Sequence, residues 1–198
     1  MKIIIIGATG TLGKHVTKAL EKEHEVIKAG SKSGDIKLDI TSPASIENFF
    51  KQAGSFDALV STTGNGHFGP LNTMKDADFR IGIDSKLMGQ INLVLIGQHY
   101  INPKGSFTLT SGILSEDPIV LGANLSAING AIEAFVRSAA IELDNEVRIN
   151  VVSPGVVEES PDFFPYFQGH IPVGMERVTQ AYVKSVLGAQ TGKVFKVY

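Results

Sequence analysis

The chain contains no cysteine. Disulfides, zinc–thiolate centres and thiol nucleophiles are thereby excluded, and any chemistry must use oxygen or nitrogen groups. That absence fits a reducing compartment, and a cytoplasmic location is expected. An excess of one charge is missing too: 18 basic against 20 acidic residues leave a formal net charge of −2, too weak a field to gather a phosphate backbone or an anionic lipid surface. Neither nucleic acid nor membrane is an expected partner. No apolar run approaches the roughly 20 residues that span a bilayer. The apolar start Ile3 to Ile6 breaks at Gly7, so it reads as a buried strand and not as the core of a leader. His15, His24, His99 and His170 share no metal-ligand spacing, and no metal is expected.

What is present is ordinary globular usage, 43% hydrophobic and 19% charged over 198 residues. This length suits one well-buried domain covering residues 1–198. Lys2 to Ile6 is continuously apolar, as a parallel strand covered on both faces should be. Leu12, Val16, Ala19 and Leu20 then recur at helical spacing, with Lys14, Lys18, Glu21 and Lys22 on the opposite side. A second strand is expected at Glu25 to Ala29. The turn Gly30, Ser31, Ser33 and Gly34 leads straight into a short third strand, Ile36 to Ile40, with no room for a helix between them. Thr41 and Ser42 can cap the next helix, with Pro43 in its first position and Ile46, Phe49 and Phe50 buried.

Strand four is expected at Asp57 to Thr62. After a glycine-rich loop, Thr73 and Asp76 resemble a capping box that opens a long helix to about Gln98, with Phe79, Ile83, Leu87, Ile91 and Val94 inward. Further strands are expected at Ser106 to Thr110, Val147 to Val152 and Val194 to Val197. Helices are expected at about Asn124 to Leu143 and Glu176 to Leu187. This alternation implies an α/β, Rossmann-like, doubly wound, seven-stranded and mostly parallel sheet flanked by helices, lacking one helix after strand two. Its ligand should lie beyond the carboxyl ends of the strands.

The segment Gly7-Ala8-Thr9-Gly10-Thr11-Leu12-Gly13 sits between the first strand and first helix, where glycines let backbone amides approach a pyrophosphate. Such a turn also occurs for packing alone. Other stretches decide between the two. Arg148 to Val157, ending Ser153-Pro154-Gly155-Val156-Val157, resembles the strand-six signature of the short-chain dehydrogenases/reductases, whose Pro-Gly turn lies beside the nicotinamide. Ser61-Thr62-Thr63-Gly64 stands where that family carries Asn-Asn-Ala-Gly. Leu109-Thr110-Ser111 stands where it carries its active-site serine. Asp39-Ile40 resembles the pair that meets the adenine, and Thr191 to Val194 the lead into the last strand. The resemblance covers essentially the whole chain and implies an NADP(H)-binding oxidoreductase acting on a small carbonyl or related substrate. A non-catalytic NADP(H) sensor is the alternative. A homodimer or homotetramer is implied through the two long helices.

The same resemblance exposes a gap. Most members use Tyr-x-x-x-Lys on the helix after strand five, the tyrosine passing a proton to the substrate oxygen and the lysine lowering its pKa. Here these positions are Leu125 and Asn129, and none of Tyr100, Tyr166, Tyr182 and Tyr198 begins such a motif. The family's active-site asparagine falls on Lys86. Ser111, Lys86 and Asn129 are therefore the candidate catalytic residues. Lys86 would either polarise a carbonyl beside the Ser111 hydroxyl, or neutralise a phosphate or pair with a carboxylate. His67 is a further candidate acid or a solvated loop residue. Phe163, Phe164, Tyr166 and Phe167 form either a substrate lid or ordinary core. Finally, Ala29-Gly30-Ser31-Lys32 ends strand two without an acid, so Ser31 and Lys32 should favour a 2′-phosphate, and NADP(H) over NAD(H), unless Asp35 swings back over the ribose.

Overall fold

The computed structural model describes residues 1–198. Its strands are β1 (Lys2–Ile6), β2 (Glu25–Gly30), β3 (Ile36–Lys37), β4 (Phe56–Ser61), β5 (Ile101–Thr110), β6 (Arg148–Pro154) and β7 (Val194–Val197). Its α-helices are α1 (Thr11–Leu20), α2 (Pro43–Ala53), α3 (Asp76–Gly82), α4 (Met88–Gly97), α5 (Ala123–Ala139) and α6 (Met175–Leu187). The seven strands form one sheet in the order β3-β2-β1-β4-β5-β6-β7, and every pairing is parallel. Strand order reverses between β1 and β4, which opens a crevice at the carboxyl edge beside the glycine-rich turn.

The continuous apolar character of β1 has a direct cause. Ile3, Ile4, Ile5 and Ile6 are all buried, and successive residues face opposite sides of the pleat. Ile4 and Ile6 join a core with Phe49, Phe50, Phe107 and Ile132 on one face. Ile3 and Ile5 join Val16, Val178 and Tyr182 on the other. Helices α2, α4 and α5 therefore cover one face and α1 and α6 the other.

The missing helix is real: β2 and β3 pair directly, Ala29 with Ile36 and Gly30 with Lys37. The crossover closes through Lys28, whose N–H donates to the Asp35 carboxylate at 2.8 Å and whose carbonyl accepts from the Asp35 N–H at 2.7 Å. This commits Asp35 to the backbone of β2. It also shortens β3 to two residues, against the five expected.

The long helix departs most from expectation. It starts at Asp76, with the Lys75 N–H donating to the Asp78 carboxylate at 3.0 Å, while Thr73 turns its hydroxyl to the Pro70 carbonyl. One π-helical turn, Ile83–Leu87, then interrupts it. A π turn inserts an extra residue and rotates the following face. The expected stripe of Phe79, Ile83, Leu87 and Ile91 is consequently only half-buried, and Ser85, Gly89, Gln90, Leu93 and Gly97 face the interior with Val94. Elsewhere the differences are of length: β5 begins five residues earlier than expected and α5 ends at Ala139. No helix is long and apolar enough to cross a membrane.

Candidate active site

The turn after β1 is built around two glycines. Gly7 holds a positive φ of 80°, and a Cβ at Gly13 would collide with the Gly7 carbonyl, so the start of α1 presses directly onto the end of the strand. Thr62 completes the packing, its hydroxyl donating to the Ile6 carbonyl at 3.0 Å. Helix α1 has no side-chain cap and no acid in its first turn, and no protein carbonyl accepts from the N–H groups of Thr11, Leu12 or Gly13. Free donors at the positive end of a helix suit a pyrophosphate. Thr9 spans the turn to Ser33 at 2.8 Å.

A cavity of about 250 Å³ runs from this turn across the carboxyl ends of β5 and β6. Thr11 and Leu12 line one end, and Pro154, Gly155, Val156 and Val157 line one wall. Lys86, Ser111, Leu125 and Asn129 lie within it, and Phe68, Phe163 and Phe167 close its outer side. The structure thus gathers Ser111, Lys86 and Asn129 with the Pro-Gly turn. Ser61, Thr62, Thr63 and Gly64 lie behind, with Ser61 fully buried. Ser31 and Lys32 stand exposed after β2. Asp39 accepts from the Thr41 N–H and hydroxyl through one carboxylate oxygen, and these bonds hold its pKa below the ordinary range. Ile40 packs over Gly89.

Lys86 lies beside Ser111, as expected, but its contact there is with the backbone. Its ammonium donates to the Ser111 backbone carbonyl at 3.0 Å, not to the hydroxyl, and it meets no carboxylate. Gly64, at φ 124°, makes room for it: a Cβ there would lie 2.7 Å from the Lys86 Cα. Burial pulls the Lys86 pKa from 10.5 down to about 8, because taking an ammonium out of water disfavours its charged form.

The Ser111 hydroxyl is engaged by a residue that no motif marked. Glu133, 3% exposed on α5, accepts from Ser111 at 2.9 Å and from Ser115 at 2.7 Å, while Arg137 lies 3.4 Å from its other oxygen. The spacing Asn129, Glu133, Arg137 put one face of a helix in view, but the folding of Ser115 over that face was not readable. Asn129 donates to the Gly112 carbonyl at 3.3 Å, and its own side-chain oxygen is buried without a partner. Gln90 was also missed: its side chain exchanges two hydrogen bonds with Thr110, at 2.8 and 2.9 Å, and fixes the end of β5 against α4.

The remaining candidates separate cleanly. His67 packs over Gly69 and does not line the cavity. Tyr182 is fully buried beneath the sheet end, its hydroxyl 2.6 Å from Thr110, and burial raises its pKa well above the ordinary phenol range. It therefore does not replace the missing tyrosine. Of the aromatic cluster, Phe167 joins the small core of Ile113, Leu114 and Val156, whereas Phe163, Phe164 and Tyr166 are exposed. Phe167 is thus core, and of the exposed rings only Phe163 lines the cavity. Glu159 ties this segment to α1 through Lys14 at 2.6 Å and His15 at 2.7 Å.

A family model described as enoyl-(acyl carrier protein) reductase matches residues 6–171. The chain belongs to the short-chain dehydrogenase/reductase family. It is 53% identical to the protein lin1944 of Listeria innocua, whose structure superimposes with a TM-score of 0.99 over 100% of both chains. A small-chain dehydrogenase solved in complex with NADPH is 28% identical, with a TM-score of 0.89 over 100% of this chain and 96% of that one. An uncharacterized oxidoreductase of Methylorubrum extorquens is 23% identical over 178 residues, 78% of this chain and 72% of its own length. The chain spans 55–58% of the length of the other curated relatives it matches.

Proposed function

We propose that the chain is an NADP(H)-dependent oxidoreductase for a small carbonyl or related substrate, working with an altered proton donor. One observation carries this reading: the cavity extends from the free amides of α1 to a substrate chamber in which Lys86 is the sole ionisable group. The dinucleotide, when bound, supplies the hydride. Gly7, Gly10 and Gly13 let the chain approach its pyrophosphate, with Thr9, Thr11 and Leu12 around it. Ser61, Thr62, Thr63 and Gly64 border the ribose, and Pro154 to Val157 wall the nicotinamide side. Asp39, through its second carboxylate oxygen, and Ile40 serve the adenine. Asn129 lines the chamber and donates to the Gly112 carbonyl, and Lys86, anchored on the Ser111 carbonyl, holds the mobile proton.

Lys86 gives the reaction a pH signature. It is an ammonium below about pH 8, so turnover that depends on its proton falls as pH rises through about 8. A rate profile should show this limb in the native chain and lose it in Lys86→Met. Stability carries the matching sign. The folded pKa lies below the ordinary 10.5, so the charged lysine opposes folding fully below about pH 8, and that cost fades as pH climbs toward 10.5.

NADPH should bind about ten- to a hundredfold more tightly than NADH, since a charge-assisted hydrogen bond from Lys32 or Ser31 contributes about 1.5–3 kcal/mol. The hold of the Lys28 N–H on one Asp35 carboxylate oxygen supports the preference by keeping that acid on β2. The NADPH complex of the 28%-identical dehydrogenase supports the same preference. Calorimetric titration decides it, equal or tighter NADH binding being the contrary result. We further propose a homodimer or homotetramer through α4 and α5, whose outer surfaces carry exposed Met88, Leu95, Ala127 and Ala134. Light scattering should give at least twice 21.2 kDa at micromolar concentration, and a monomer would contradict it.

The sensor reading draws on one fact, the capture of the Ser111 hydroxyl by Glu133. A sensor, however, uses only the nucleotide contacts and leaves the lined substrate chamber without a role. Single-turnover oxidation of NADPH, described below, separates the two.

A further inference from the structure

The chamber selects its occupant by what its walls offer. Phe68 and Phe163 line the cavity with their rings 5.8 Å apart, and Tyr166 packs 6.1 Å from Phe68 outside it. Leu125, Ile113 and Leu114 continue the apolar lining inward. The lone cation, Lys86, already donates to the Ser111 carbonyl, and no arginine, histidine or second lysine lines the chamber to meet a carboxylate or phosphate. The whole cavity of about 250 Å³ also takes in the Thr11–Leu12 end and the Pro154–Val157 wall given to the dinucleotide, so only a small occupant fits beside the nicotinamide.

The missing phenol selects among such compounds by acid–base chemistry. Hydride addition to a saturated ketone creates an alkoxide, the conjugate base of an acid about as weak as water, near 15.7, and this oxyanion needs a donor in the transition state. Addition to a quinone creates a phenolate, the base of an acid near about 10. The quinone therefore loses least when Leu125 stands in place of tyrosine.

We infer that, within the oxidoreductase reading on which this rests, the substrate is an uncharged, one- or two-ring quinone held between Phe68, Phe163 and Leu125. The quinone accepts a hydride from NADPH at one oxygen, where an O–H bond forms as the donor C–H bond breaks with its electron pair. Ring electrons shift and leave a phenolate at the other oxygen, which takes one proton from Lys86, replaced from solvent. Quinone, NADPH and one proton become hydroquinone and NADP⁺, and the balance is complete. An ammonium with a pKa of about 8 gives its proton to a phenolate downhill.

Two measurements test this. In the first, stoichiometric protein and NADPH meet 1,4-naphthoquinone or α-tetralone without oxygen, in the native chain and in a variant carrying Leu125→Tyr, Asn129→Lys and Lys86→Asn. The ratio of quinone to tetralone rates should fall by about 10² or more in the variant, because a restored general acid assists mainly the ketone. In the second, calorimetry follows 1-naphthol, a stand-in for the hydroquinone, binding in the presence of NADP⁺. Phe163→Ala, at a half-exposed position that does not threaten folding, should weaken it about tenfold, as should a sulfonate on the naphthol ring. An unchanged rate ratio, or naphthol binding indifferent to both changes, overturns the quinone assignment while NADPH oxidation by other carbonyls leaves the oxidoreductase standing. If no compound oxidises protein-bound NADPH, both fall.

Discussion

Replacing Leu125 by tyrosine and Asn129 by lysine, with Lys86→Asn, should raise the reduction of a simple ketone by about 10² to 10⁴, or roughly 3–5 kcal/mol of barrier. The geometry permits it. Leu125 and Asn129 both line the chamber one turn apart on α5, so a phenol and an ammonium placed there share one face. The third change is required because a second ammonium close to Lys86 would disfavour charging either one. It also frees the Ser111 carbonyl that Lys86 now occupies. Steady-state rates with NADPH and α-tetralone check the expectation, alongside a thermal melt that shows the variant folded. A folded variant that binds NADPH yet gains less than tenfold would mean that Leu125 does not occupy the proton-donor position.

The largest loss is expected from a single methyl. Gly13→Ala places a Cβ against the Gly7 carbonyl, with the Thr62 hydroxyl 2.8 Å away. Neither is a flexible side-chain end, so α1 must move off the sheet. Overpacking of this kind costs about 3 kcal/mol, and the displaced helix start should lose NADPH affinity by more than a hundredfold. Gly130→Ala provides the control. Its Cβ would meet nothing within 4 Å inside the protomer, and where no partner helix packs on that face of α5 alanine is the better helix former by about 0.5–1 kcal/mol. Urea unfolding and calorimetry on both variants should show opposite signs. Equal stability of the two would remove the role given to the first turn.

How far the sequence disclosed this arrangement follows from the range of the forces involved. β1 was readable because both faces of a central parallel strand must be apolar, and Ile3 to Ile6 leave no other reading. The direct β2-to-β3 crossover was readable from lack of chain. Ser42 and Pro43 announced α2 because capping is a local interaction, and the Ser45 N–H does donate to Ser42. The π turn at Ile83–Leu87 was not readable: Ser85 accepts from the Asn65 N–H and Gln90 bonds to Thr110, contacts with distant segments that only the tertiary fold supplies. The same holds for the site. The family resemblance pointed to Ser111, Lys86 and Asn129 together, and the structure places Ser111 just after β5, Lys86 in the π turn and Asn129 midway along α5. Which atom each would meet depended on Gly64 admitting the lysine and on Glu133 reaching Ser115, contacts between segments 18 to 25 residues apart. Lys86 donating to the Ser111 backbone carbonyl is the outcome.

The central claim is that this cleft transfers hydride although its phenol is gone, and one measurement meets it directly. Stoichiometric protein is mixed with NADPH and a panel of carbonyl compounds and quinones, and the nicotinamide absorbance is followed through a single turnover in the native chain and in Lys86→Met. The account predicts oxidation that requires both the protein and a particular compound, slowing above about pH 8 in the native chain and without that slowing in the variant. NADPH that binds tightly but is oxidised by no compound, in either protein, would contradict it and leave a nucleotide-binding module in its place.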